Sequence, residues 1–165
     1  MSRTNNPETA DRMRYIKNKF SSNLCYLAIL FDVLFFVLLY RQDRSTYYYK
    51  ILTGASIIYN LVFLLAAFLS SEGVKTYNEK FSYVLIALGI IQIIRIFIYP
   101  TSAHNATIQI AGKDEIVMST AVFLRCCIYL ALSGACCIVS ALVGISRSRI
   151  LKAHIATLGE EKRRD

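Results

Sequence analysis

Charged residues are scarce in this chain, and nearly all of them sit outside its apolar runs. They make up 18% of the 165 residues, against ~25% in a typical soluble domain. Hydrophobic residues reach 55% and mean hydropathy is +0.44. That balance excludes an ordinary soluble domain, where the apolar share is ~45–50%. No cysteine lies in a polar loop: Cys25, Cys126, Cys127, Cys136 and Cys137 all fall inside apolar runs. A disulfide framework is therefore not what organises the fold. Both histidines, His104 and His154, lie outside the runs, which excludes a paired-histidine haem site within a membrane. There is no Walker A loop, zinc-protease helix motif, nucleophile elbow or thioredoxin-like CxxC. The expectation is a protein that is not an enzyme and holds no metal or cofactor.

Four long apolar runs are present. They cover about residues 22–40, 49–70, 83–100 and 121–145. Each is close to the ~20 residues that cross a ~30 Å hydrocarbon core. Backbone groups in lipid must bond within their own segment, so such runs are helices. The expected fold is an all-α integral membrane protein, one four-helix transmembrane domain over residues 1–165. The first run follows a polar leader too long for a signal-peptide n-region, and no small-residue cleavage site follows Tyr40. It is expected to be retained.

Basic residues set the orientation. The N-terminal segment carries Arg3, Arg12, Arg14, Lys17 and Lys19, and the loop between runs two and three carries Lys75 and Lys80. The tail carries Arg147, Arg149, Lys152, Lys162, Arg163 and Arg164. Opposite them lie only Arg41, Arg44, Lys50 and Lys113. Thirteen against four predicts both ends in the cytoplasm. Tyr40, Tyr47, Tyr48, Tyr49 and Tyr99 form an aromatic belt at the other interface. The net charge of +8 thus points to anionic lipid headgroups and not to nucleic acid. Multi-pass insertion in the cell membrane is expected.

Outside the runs, Asn6 to Phe20 reads as a surface helix, with Asn6 as cap, Pro7 at the first turn and Met13, Ile16 and Phe20 on one face. The tail repeats the pattern with Ile150, Leu151, Ile155 and Leu158. These ends either extend and anchor the bundle or dock a cytoplasmic partner. The loop between runs three and four reads as a short outward β-hairpin around Gly112-Lys113-Asp114. Asn105-Ala106-Thr107 matches a glycosylation acceptor, which matters only in a secretory pathway.

Charges inside the runs carry the most information. Each is unfavourable by ~2.5–3.5 kcal/mol at a helix centre, so it turns inward and finds a partner. There are three: Asp32, Arg95 and Arg125. Asp32 lies only about 6 Å deeper than the arginines at 1.5 Å per residue. The expectation is that Asp32 pairs with Arg95, Arg125 or both. Helical spacing aligns Cys25, Ala28 and Asp32 on the first run, and Thr53, Ser56, Asn60 and Ala67 on the second. It aligns Gly89, Gln92, Arg95 and Tyr99 on the third. On the fourth it aligns Arg125, Tyr129, Ser133, Cys136, Ser140 and Gly144. Each helix thus has one small or polar stripe for packing. Asp32, Asn60 and Gln92 share a depth near the midplane. The candidate network is Asp32, Asn60, Gln92, Arg95, Arg125, Tyr129 and Ser133. It either fixes helix register or forms a binding or proton-relay site. The cysteine pairs are separated by roughly 15 Å along their helix, too far for one metal, and read as packing residues.

Two functional expectations follow. The first is a non-enzymatic accessory or scaffolding subunit of a larger membrane complex such as a transporter. The alternative is a homo-oligomeric transporter or channel for a small solute or protons, using the Asp/Arg site. Partners are membrane lipids and either a membrane protein or further copies of the chain.

Overall fold

The computed structural model describes residues 16–40, 47–105, 107–110, 113–116 and 118–161. Four of its helices are long and apolar enough to span a membrane. They are α1 (Lys19–Tyr40), α2 (Tyr47–Lys75), α3 (Glu79–Ile98) and, after two short strands, α5 (Thr120–Glu161). At 1.5 Å per residue the 22 residues of α1 rise about 33 Å, one hydrocarbon thickness. Large apolar side chains such as Leu30, Val37, Ile58, Leu65 and Phe97 lie exposed along the outside. A surface of that kind is stable against lipid and not against water. The chain is a multi-pass membrane protein built as a helix bundle.

The helices form a ring. α1 packs on α2 and α5, and α3 packs on α2 and α5, with the α2–α3 seam the most open. The two ends of the described chain lie at one end of the bundle. There the Asn18 amide donates to Lys75 O at 3.0 Å, and Arg147 Nη1 donates to Asn18 Oδ1 at 2.7 Å.

A tight turn joins α2 to α3. Tyr77 sits at φ 59, a conformation usually left to glycine at this position after a helix. The Asn78 amide donates to Gly73 O at 3.0 Å and the Tyr77 amide to Val74 O at 3.1 Å, the paired bonds that close a helix end. Tyrosine offers what glycine lacks there: its hydroxyl donates to Ile16 O at 2.9 Å. Asn78 then caps α3 by accepting from the Lys80 amide.

Several boundaries differ from those read in the sequence. Run three does not stop at Pro100; it continues as α4 (Pro100–His104). Proline is tolerated in a first helical turn, where its missing N–H has no intrahelical acceptor anyway. His104 stacks on Phe123 with ring centroids 4.5 Å apart, tying α4 to α5. Run four extends to Glu161 without a break, so the tail is a continuation of the membrane helix. Ile16 to Asn18 are not helical, and Phe20 belongs to α1. The rest of the expected Asn6–Phe20 helix lies outside the described residues, as do Gly112 and most of the first-loop tyrosines' surroundings. β1 (Thr107–Ile110) and β2 (Lys113–Ile116) pair antiparallel, with Ile110 opposite Lys113.

The interior is layered. One apolar cluster holds Cys25, Ala28, Phe63, Ala67, Leu85 and Cys137, toward the chain ends. A second holds Phe35, Leu39, Tyr99, Met118, Cys126 and Leu130, toward the strands. The polar residues lie between them. Beyond the first cluster, serines join helices directly. Ser21 Oγ donates to Ser140 O at 2.6 Å, Ser140 Oγ donates to Ser21 O at 2.7 Å, and Ser22 and Ser71 hydroxyls lie 2.8 Å apart. Small hydroxyl residues allow this approach and supply bonds that lipid cannot.

Candidate functional site

α1 contributes Asp32, fully buried at the level where the two apolar clusters separate. α3 contributes Gln92 and, one helical turn on, Arg95. Gln92 Nε2 donates to Asp32 Oδ1 at 2.8 Å, and Arg95 Nη1 reaches the same oxygen at 3.4 Å. Arg95 Nη2 donates to the backbone oxygen of Ser56 on α2 at 3.3 Å. Ser133 on α5 donates from Oγ to Ala28 O at 2.9 Å and lies 3.4 Å from Gln92 Nε2. One connected network therefore touches all four long helices.

Arg95 is held by more than its hydrogen bonds. Its guanidinium carbon lies 4.6 Å from the ring centroids of both Phe35 and Tyr59. A desolvated guanidinium between two aromatic faces gains cation–π attraction, ~2 kcal/mol or more for such a contact. Planar, weakly hydrated arginine suits this place better than lysine. The expected Asp32–Arg95 pair is thus present, with Asp32 fully buried and Arg95 6% exposed.

Arg125 does not join it. It lies on the exposed face of α5 and makes no ion pair among the described residues. Tyr129 also stays out; it is half-buried and stacks on Phe31, with ring centroids 6.5 Å apart. The inward stripe of α5 is Cys126, Leu130, Ser133, Cys137, Ser140 and Gly144. It is rotated by about one residue from the stripe expected at its start. Not every charge in an apolar run turns inward: Arg125 is exposed while Asp32 and Arg95 are buried. An arginine near a helix end can face outward with its stem in lipid where its guanidinium reaches headgroups or a neighbouring polar group. Cys136 is likewise half-buried, with Cys137 taking the inward position.

Asn60 is buried, yet neither Oδ1 nor Nδ2 has a partner among the described residues. The Asp32 Oδ2 atom and the Tyr59 hydroxyl are also buried without partners there. The network therefore keeps unused hydrogen-bonding capacity at its α1–α2 side. Sequence reading missed Phe35 and Tyr59 as the sandwich around Arg95. An aromatic three residues from Asp32 and another beside Asn60 were the available signal. It also missed Ser21, Ser22 and Ser71, which lie at or beyond the ends of the apolar runs.

A cleft of ≈ 220 Å³ opens between α2 and α3. Leu52, Ala55, Ile91, Ile94 and Ile98 form its apolar walls, and Ser56, Tyr59, Arg95 and Tyr99 supply its polar edge. Among the described residues no group of His, Cys, Asp and Glu is arranged to hold a metal ion. No protein-family model, curated protein or solved structure matches the chain.

Proposed function

We propose that this chain is a non-enzymatic subunit of the cell membrane that supports or scaffolds a larger membrane complex, with both termini in the cytoplasm. Arg125 carries the reading. It lies among exposed Leu124, Ile128 and Leu132 on a face of α5 that none of the described residues covers. A charge on a lipid-facing helix is unfavourable unless it reaches headgroups or a neighbouring polar group. A partner helix supplying a carboxylate or carbonyl satisfies it and sets the pairing register. The inner network meanwhile serves the fold: it cross-links four helices at one depth.

Gentle solubilisation followed by mass spectrometry of co-purifying chains tests this. A stoichiometric foreign membrane protein is expected. Arg125→Leu should lower its recovery at least about fivefold, the effect of ~1 kcal/mol, without changing the bundle's unfolding midpoint. A homo-oligomer with no foreign chain, unaffected by Arg125→Leu, would sink the proposal.

The second reading is an oligomeric transporter for a small solute or protons. The unpartnered Asp32 Oδ2 and Asn60 side chain favour it, since intramembrane carboxylates mark ion paths. Here Asp32→Asn abolishes flux in reconstituted vesicles while assembly is retained. Unchanged flux removes this reading.

The orientation rests on thirteen basic residues facing four across the membrane. Reporter fusions at the two ends should both give cytoplasmic signals. An extracytoplasmic signal from either end would overturn the assignment.

A further inference from the structure

We propose that the chain's own N-terminal segment, residues 6–15, docks on α5 where that helix runs past the end of the bundle. Arg147 marks that end by donating to Asn18, yet α5 continues to Glu161, about 21 Å further at 1.5 Å per residue. Its inward stripe does not stop there. The steps of four and three that run from Cys126 to Gly144 continue through Arg147, Leu151, His154 and Leu158. Burial follows the same positions. Between residues 151 and 158 only Leu151, His154 and Leu158 are half-buried, and all the others are exposed. Ile155 is more apolar than His154, yet it is 50% exposed, while the His154 Nε2 atom is buried. Position around the helix sorts these residues, not hydrophobicity. A helix surrounded by water has no such favoured side, so a neighbour lies along the stripe.

Geometry selects the neighbour. The stripe is in phase with Ser140 and Gly144, so whatever covers it sits over the chain's own bundle. The described chain opposite begins at Ile16, two residues beyond Asn18, a span of at most ~7 Å. That falls short of His154, about 10 Å along α5 from Arg147, and of Leu158, about 16 Å along. Residues 1–15 continue from that point. Their starting place is fixed: the Tyr77 hydroxyl donates to Ile16 O at 2.9 Å and the Asn18 amide to Lys75 O at 3.0 Å. α1 and α5 run antiparallel through the Ser21–Ser140 and Ser133–Ala28 bonds. Continuing that course brings Met13 and Asp11 near the level of Leu151 and His154. The segment offers Met13 as an apolar contact, and Glu8 and Asp11 as acids against the basic Arg147, Arg149 and Lys152. A tethered segment also acts at an effective concentration of about millimolar, an advantage over any separate chain. A partner for this part of α5 must then displace the segment first. The contact is independent of the subunit proposal, which rests on Arg125 at the opposite end of α5.

Thiol labelling of the purified full chain tests this. Leu158→Cys places a thiol on the stripe, and Ala156→Cys places one on the exposed side. A charged maleimide is used, with the labelled site assigned by peptide mass spectrometry. Leu158→Cys should react at least about tenfold more slowly than Ala156→Cys, as expected of a covered site. Deleting residues 2–15 should bring Leu158→Cys up to the Ala156→Cys rate and leave Ala156→Cys unchanged. A second measurement needs no deletion. A short bismaleimide should link Met13→Cys to Leu151→Cys within one chain, and should not link Met13→Cys to Ala153→Cys on the exposed side. Equal labelling of Leu158→Cys and Ala156→Cys in the full chain overturns the proposal. So does protection of Leu158→Cys that survives the deletion, and so do cross-links formed only between chains, which would make a second copy the occupant.

Discussion

Asp32→Leu is expected to destabilise the bundle by ~3–5 kcal/mol, the penalty of leaving one member of a buried ion pair without its partner. In this variant Arg95 stays between Phe35 and Tyr59 with no carboxylate at 3.4 Å, and Gln92 loses its 2.8 Å acceptor. Arg95→Met leaves Asp32 buried without its counterion, and should also be damaging. The informative experiment is the double variant. Asp32→Leu with Arg95→Met replaces the pair by apolar groups, and such replacements are often neutral or stabilising. Reversible unfolding in mixed detergent micelles should show two strongly destabilised single variants and a double variant near the wild type. The network would then be a device for register more than for stability. Single variants that unfold like the wild type would show that the pair contributes little, and the account of a polar clamp would fail.

Gly89→Leu is expected to do comparable damage by a different route. α3 and α5 approach so closely that a Cβ on Gly89 would lie 2.7 Å from Ile138 Cγ1 and 2.9 Å from Gly134 O. A Cβ on Gly134 would in turn lie 3.0 Å from Gly89 O. Two glycines facing each other thus bring backbone to backbone, the arrangement through which membrane helices gain van der Waals contact in place of a hydrophobic driving force. The side chain cannot yield, because one of its obstacles is a backbone oxygen. The helices must separate, at a cost of at least ~1–3 kcal/mol for overpacking. That movement also pulls Gln92 away from Ser133, since both lie within one turn of the contact. Gly54 provides the control. A Cβ there meets nothing within 4 Å, so Gly54→Ala should stabilise the helix by ~0.5–1 kcal/mol. Equal unfolding midpoints for Gly89→Leu and wild type would disprove the close crossing.

The inward faces of α1 and α3 were readable because their polar residues recur at helical spacing. Cys25, Ala28 and Asp32 are all buried, and so are Gly89, Gln92, Arg95 and Tyr99. Lipid permits few places for such groups, so periodicity and burial coincide. α5 was harder. Its small residues are spread around the helix, with Cys127, Ser133, Gly134, Cys136, Cys137 and Ser140 marking several faces. A stripe that starts at Arg125 is one residue out of phase with the buried one, which starts at Cys126. The inward set recurs at alternating steps of four and three, from Cys126 to Leu130, Ser133, Cys137, Ser140 and Gly144. That spacing is what a helix in a left-handed bundle buries.

Four long apolar runs pointed to a membrane protein, and the three charges inside them to a bundle with a polar interior. Run length, apolar content and the intramembrane charges are local properties, and the energetics of bare backbone and bare charge in lipid leave few alternatives for them. The partner of each charge is not local. Asp32 could reach either arginine by depth alone. The rotation of α5, set by where Gly134 meets Gly89 and Ser140 meets Ser21, turned Arg125 outward and left Arg95 as the pair. The apolar runs and the few charges placed in and around them determined what kind of protein it is, and the packing of its smallest residues decided which of those charges meet.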